Sequence, residues 1–131
     1  MEISSEAPGV NSDWPSDISF YLNDVKIGTW TSPGDYGDVQ GIFTPDWWFP
    51  NWNQYGLLKM IVINKKGTFV DGLKISDVDI RRFNLDYKST IRFKFQIEED
   101  AKNIGGLTIF GSGFGNYNQD IKVRIAYSQM Q

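Results

Sequence analysis

The stretch Thr44-Pro45-Asp46-Trp47-Trp48-Phe49-Pro50-Asn51-Trp52-Asn53-Gln54-Tyr55-Gly56 holds three of the chain's five tryptophans, together with a phenylalanine and a tyrosine. Flat apolar rings interleaved with carboxamide and carboxylate groups suit a sugar. The rings cover its C–H face, and the polar groups hydrogen-bond its hydroxyl rim. Pro45 and Pro50 lack a backbone N–H and fix φ, which excludes a helix. Proline is largely confined to strand edges, which argues against a core strand. The segment is therefore expected as a loop. Its rings could equally fold back as a lid on the core, and the sequence leaves both roles open, with some rings taking each.

A second loop of the same character follows near the C-terminus, Gly111-Ser112-Gly113-Phe114-Gly115-Asn116-Tyr117-Asn118-Gln119. Across 31–56 and 111–119 the candidate stacking platforms are Trp47, Trp48, Trp52, Tyr55, Tyr36 and Tyr117. The candidate hydroxyl-reading partners are Asp35, Asn53, Gln54, Asn116 and Gln119. Gly34, Gly37, Gly111, Gly113 and Gly115 suggest tight turns that need a free φ. A phosphate cradle would need the amides of a helix N-terminus and a closing Lys-Ser/Thr pair, and neither follows Gly115.

No catalytic residue is assigned. The chain has no cysteine and no histidine. Zinc sites of the usual type, thiol nucleophiles and Ser-His-Asp triads are thereby removed. A glycosidase needs two carboxyls about 5–10 Å apart across one sugar. Glu98, Glu99 and Asp100 are contiguous and point apart, and nothing in the sequence pairs Asp35, Asp38 or Asp46 with a second acid. Asp71, Asp77, Asp79 and Asp120 could hold a hard cation through oxygen, but they lack EF-hand spacing. Turns and caps are their expected role, a structural calcium is the one metal left open, and no cofactor is expected.

These loops must be carried by strands. At 131 residues the chain is one domain, large enough to bury roughly two-thirds of its unfolded surface. Its 40% hydrophobic and 22% charged composition excludes wholesale disorder. Aromatics at 15% favour β structure, a binding surface or both. A net charge of −3 argues against nucleic acid as a partner of this segment. No apolar run reaches the about 18 residues of a membrane span. Met1–Glu6 lacks the basic and apolar regions of a signal peptide.

Residues 1–17 are polar and aperiodic and are expected to form a tail or linker, with Trp14 docking it. The domain is expected over 18–131. Ile18, Phe20 and Leu22 alternate with Ser19, Tyr21 and Asn23, and Asn23-Asp24 turns them into a hairpin with 25–30. The run 57–63 reads as one interior strand, followed by short strands at 68–70 and 73–75. Ser76–Ile80 carries N-cap residues for one short turn. Residues 90–97, 106–110 and 120–127 read as further strands, with Ile91, Phe93, Phe95 and Ile97 inward. Roughly eight short strands without a useful helix predict an all-β fold, an antiparallel β-sandwich of jelly-roll type.

Three stretches carry a resemblance to a known family. They are Gly28–Gly37, then Thr44–Trp48 with Gln54–Lys59, and Glu99–Leu107 continuing through Phe110-Gly111 and Phe114–Ile121. Together they resemble the all-β domain that lies C-terminal to the winged helix in some bacterial ArsR-type transcriptional regulators. The resemblance implies a non-catalytic ligand-sensing domain with a covalently linked DNA-binding neighbour, and no metal-sensing site on this part. The architecture also resembles jelly-roll carbohydrate-binding modules of glycoside hydrolases, by class and aromatic content only. The first expectation is thus a sugar-binding sandwich, cytoplasmic in a regulator or extracellular in a secreted hydrolase. The alternative is a protein-interaction or oligomerisation domain with the tryptophan loop as its interface, since aromatic anchors are common hot spots.

Overall fold

Asn23 and Asp24 both adopt left-handed φ, 47° and 67°. That geometry matches a two-residue turn to the right-handed twist of its flanking strands. Here the turn joins β2 (Ser16–Leu22) to β3 (Val25–Ser32) in the longest hairpin of the fold. The molecule is seen in a computed structural model that describes residues 1–86 and 88–127.

Among the described residues seven further strands make up an all-β, antiparallel architecture. They are β1 (Glu2–Ser4), β4 (Leu57–Leu58), β5 (Ile61–Asn64), β6 (Gly67–Val70), β7 (Leu73–Ser76), β8 (Phe93–Gln96) and β9 (Thr108–Phe110). Three small sheets result, with orders β4-β1-β9, β3-β2-β8 and β5-β6-β7. A 3-10 turn, Ile80–Arg82, is capped by the Asp79 side chain on the Arg81 N–H; it lies later than the turn expected over Ser76–Ile80 and shares only Ile80 with it.

Alternation on β2 places Ile18, Phe20 and Leu22 in the core with Ile3, Ile27 and Val70. Each such side chain contributes about 1.5–3 kcal/mol by leaving water. Phe20 meets Phe95 of β8 edge to face, with centroids 5.6 Å apart.

Three strand expectations are revised. The segment 1–17 is not a tail: β1 lies at the centre of its sheet, pairing Ile3 with Leu57 and with Ile109. One apolar residue in three gives no periodic signal, which is why the strand is hidden in the sequence. The run 57–63 divides at Lys59-Met60 into β4 and β5, which serve different sheets. Asp71 holds this break by accepting from the Met60 N–H and from Lys59 Nζ.

The segment 120–127 joins no ladder among the described residues, and Ile121, Val123 and Tyr127 are exposed. Alternation predicts a strand only where another backbone lies in register beside it. Phe93, expected inward, is also exposed at its strand's start. The last four residues of the expected domain, 128–131, lie outside the described residues. Among the described residues no helix is long and apolar enough to cross a membrane.

Candidate ligand-binding groove

The aromatic loop is built by short-range turns and then tied down by polar contacts. The Trp48 N–H donates to Pro45 O and the Trp52 N–H to Phe49 O, each at 3.0 Å, so two successive tight turns wind the rings together. Gln54 sits beneath them, 2% exposed, donating to Phe49 O and accepting from the Gly41 N–H. Thr44 donates to Gln54 O at 2.7 Å and accepts from the Gly115 N–H at 2.9 Å. Asn116 Oδ1 takes the Ile42 N–H. The two loops singled out by the sequence are therefore one structural unit.

A fully buried carboxylate anchors that unit. Glu2 accepts from the Gly56, Asn116 and Tyr117 N–H groups. Backbone amides converging on a carboxylate satisfy a charge that burial would otherwise make costly. Gly115 is required beside it: its φ is +72°, and a Cβ there would sit 2.3 Å from Glu2 Oε2.

Five rings cluster above this base. Trp48 meets Trp47, Trp52 and Phe114 edge to face, Trp47 also meets Phe114, and Phe49 meets Trp52. Trp48 is half-buried and its Nε1 donates to Asn53 O at 2.8 Å. It is thus mainly scaffold. Trp47, Phe49 and Trp52 remain 70%, 56% and 43% exposed.

Between these rings and the segment 6–9 lies an open groove of about 550 Å³, walled by Trp48, Trp52 and Glu6–Gly9 and completed by Asn53 and Thr108. Asn53 Nδ2 donates to Glu6 Oε2 at 2.9 Å and to Thr108 Oγ1 at 2.8 Å, and the Thr108 hydroxyl also donates to Glu6. Glu6 is the only charged residue lining the groove among those described.

The remaining candidates fall outside this groove. Tyr36 and Tyr55 stack on each other, centroids 5.4 Å apart, and each covers one face of its neighbour. The Tyr55 hydroxyl donates to Asp38 at 2.6 Å, which pushes the phenol up to about 12. Tyr117 is exposed and Gln119 half-buried, both in the second loop.

Asp35 is 1% exposed and reads no solvent. Its Oδ2 accepts from the Ala7 N–H at 2.8 Å, while its Oδ1 has no hydrogen-bond partner among the described residues. Burial pushes this carboxyl up to about 6; the Ala7 N–H opposes the shift, and the nearby Glu6 charge adds to it. Gln54 is likewise spent inside the loop. A smaller cavity of about 330 Å³ lies beside Asp35, between residues 10–12 and 35–38.

Sequence reasoning missed Glu6 and Thr108, and it missed the anchor Glu2. Phe49 and Phe114 carried the needed signal, since both stand inside the loops already singled out. Glu6 carried none, because it belongs to a stretch without period.

The four aspartates weighed for calcium have other work. Asp71 bridges Lys59 and Met60, Asp77 pairs with Lys74, Asp79 caps the 3-10 turn, and Asp120 accepts from the Ser112 N–H. Among the described residues, no three acidic side chains gather as a metal site would require. Comparison with known proteins finds no matching family, no matching curated protein and no matching solved structure.

Proposed function

We propose that this domain binds a carbohydrate in the groove between the tryptophan loop and the segment 6–9, without chemically altering it. The observation that carries this reading is the side chain of Trp52: 43% exposed, it walls a groove that also presents the Glu6 carboxylate, while Asn53, only 7% exposed, spends both amide hydrogens on Glu6 and Thr108. An indole offers a sugar its apolar face, and the carboxylate opposite accepts from hydroxyls. Trp48 and Trp52 meet at 76°. Rings set nearly at right angles suit a soluble chain or chain end, whereas a flat polysaccharide surface calls for coplanar rings. Hydrolysis requires two carboxyls across the sugar, and Glu6 lines the groove alone among the described residues. The same reading suits the sensor half of a regulator and an appended module of a glycan-degrading enzyme, and the flanking sequence separates the two.

The test is intrinsic tryptophan fluorescence during titration with soluble oligosaccharides, repeated with Trp52→Ala. A saturable shift with one glycan class, lost in the variant, is expected. A flat response across the panel overturns the reading.

One observation favours a second reading. Val39, Ile42, Phe43 and Trp47 are all exposed, at 61%, 75%, 44% and 70%, on one loop. Exposed apolar residues so concentrated suit a protein interface. Light scattering of the wild type and Trp47→Ala separates the readings, because only an interface would show a dimer that the substitution dissolves.

A further inference from the structure

We infer that the groove selects a cationic amino sugar, a glycan whose residues carry free protonated amines, over neutral and acidic glycans. This rests on the carbohydrate reading and adds the ligand's charge to it. Glu6 is exposed at the groove wall, and among the described residues neither a lysine nor an arginine forms an ion pair with it. Its neighbours there are the Asn53 carboxamide and the Thr108 hydroxyl, both of which donate to it and fix its position. The other lining residues, Ala7, Pro8, Gly9, Trp48 and Trp52, bring no charge.

An anionic sugar placed here meets a like charge and no compensating cation. A neutral sugar meets a carboxylate able to accept from its hydroxyls. A protonated amine gains a charge-assisted hydrogen bond to Glu6 and, beside the tryptophan faces, a cation–π attraction. Size fits as well: about 550 Å³ admits one or two sugar rings rather than a bare cation. The indole supplies the stacking that selects a ring bearing the amine, and the carboxylate supplies the charge preference.

The experiment compares a glucosamine oligomer with its N-acetylated counterpart, a uronic-acid oligomer and a lysine tripeptide, in buffer acidic enough to protonate the amines. The wild type should bind the glucosamine oligomer about tenfold more tightly than the acetylated one, as a charged hydrogen bond predicts. Added salt should narrow that gap. Glu6→Gln should abolish it. Asp77→Asn, which removes an equal charge at a side chain that is 94% exposed and outside the groove, should keep it.

Equal affinities in the wild type, a gap that survives Glu6→Gln, or equally strong binding of the tripeptide would overturn the inference while leaving carbohydrate binding intact. Failure of every glycan to bind would overturn both. Should Glu6→Gln fail to melt cooperatively, the wild-type salt dependence decides: a gap insensitive to salt rejects the charge selection.

Discussion

Glu2 and Tyr117 are joined across almost the whole chain: the Tyr117 backbone N–H donates to Glu2 Oε1 at 3.1 Å. The same carboxylate takes the N–H groups of Asn116 and Gly56. The first strand, the aromatic loop and the glycine loop therefore close on one side chain. Glu2→Ala leaves three amide donors without their acceptor and should destabilise the fold by about 3 kcal/mol or more. Gly115→Ala, which forces a Cβ into the carboxylate at a left-handed φ, should cost about 2 kcal/mol or more. Urea unfolding of both variants measures this. Wild-type midpoints for either would reject Glu2 as the anchor.

How far the sequence discloses this arrangement depends on the residue. Ile18, Phe20 and Leu22 announce their strand because burial on one face imposes alternation. Asn23-Asp24 announces its turn because few residues tolerate that backbone. The proline-broken tryptophan run is legible as a loop for the same local reasons. Glu2 and Glu6 are opaque, because their roles depend on amides and side chains some 50 to 115 residues away. Trp48 and Trp52 are indistinguishable by type and separable only by what each touches. The strand pattern at 121–127 is the converse case, a clear local signal without a neighbour to satisfy it among the described residues.

Asp35 gives the fold a pH dependence of definite sign. Its carboxyl is raised to about 6 from an ordinary value of 3.8, so the folded state holds the proton more firmly than the unfolded chain does. The resulting stabilisation is fully present below the ordinary value and is lost as pH rises through about 6. Its size is on the order of 3 kcal/mol. Asp17, Asp71, Asp79 and Glu98 have lowered values and act in the opposite sense at lower pH. The measurement is therefore the difference in unfolding free energy between wild type and Asp35→Asn. That difference should move against the wild type between about pH 4 and pH 6.5 and then level off. A difference independent of pH would refute the assignment.

Tyr55 should be among the last tyrosines to ionise. Its hydroxyl donates to Asp38, so ionisation would set a phenolate against a carboxylate and sacrifice the bond. Tyr36 and Tyr21 are also raised, the first by burial and the second chiefly by its hydrogen bond to Glu98. Ultraviolet titration of Asp38→Asn should show one tyrosine moving earlier by at least about one pH unit, since the amide removes the like charge. An unchanged alkaline titration curve would mean that the Tyr55–Asp38 bond does not persist in solution.

Trp48 and Trp47 are adjacent in sequence and should fail in different ways. Trp48 touches three rings, is half-buried, and donates its Nε1–H to Asn53 O. Its replacement by alanine opens the centre of the cluster and frees the carbonyl next to Gln54, for a loss of about 3 kcal/mol. Trp48→Phe keeps much of the ring packing but removes the hydrogen bond, and should lose about 1 kcal/mol. Trp47 is 70% exposed, so Trp47→Ala should shift stability by less than about 1 kcal/mol. Thermal melts and glycan titrations on the same samples distinguish these roles. Trp48→Ala should lose binding together with stability, because Trp52 and Asn53 shift when their support goes. Trp52→Ala should lose binding with a far smaller change in melting temperature. If Trp48→Ala kept its affinity while losing stability, the groove would not depend on Trp48 for its shape.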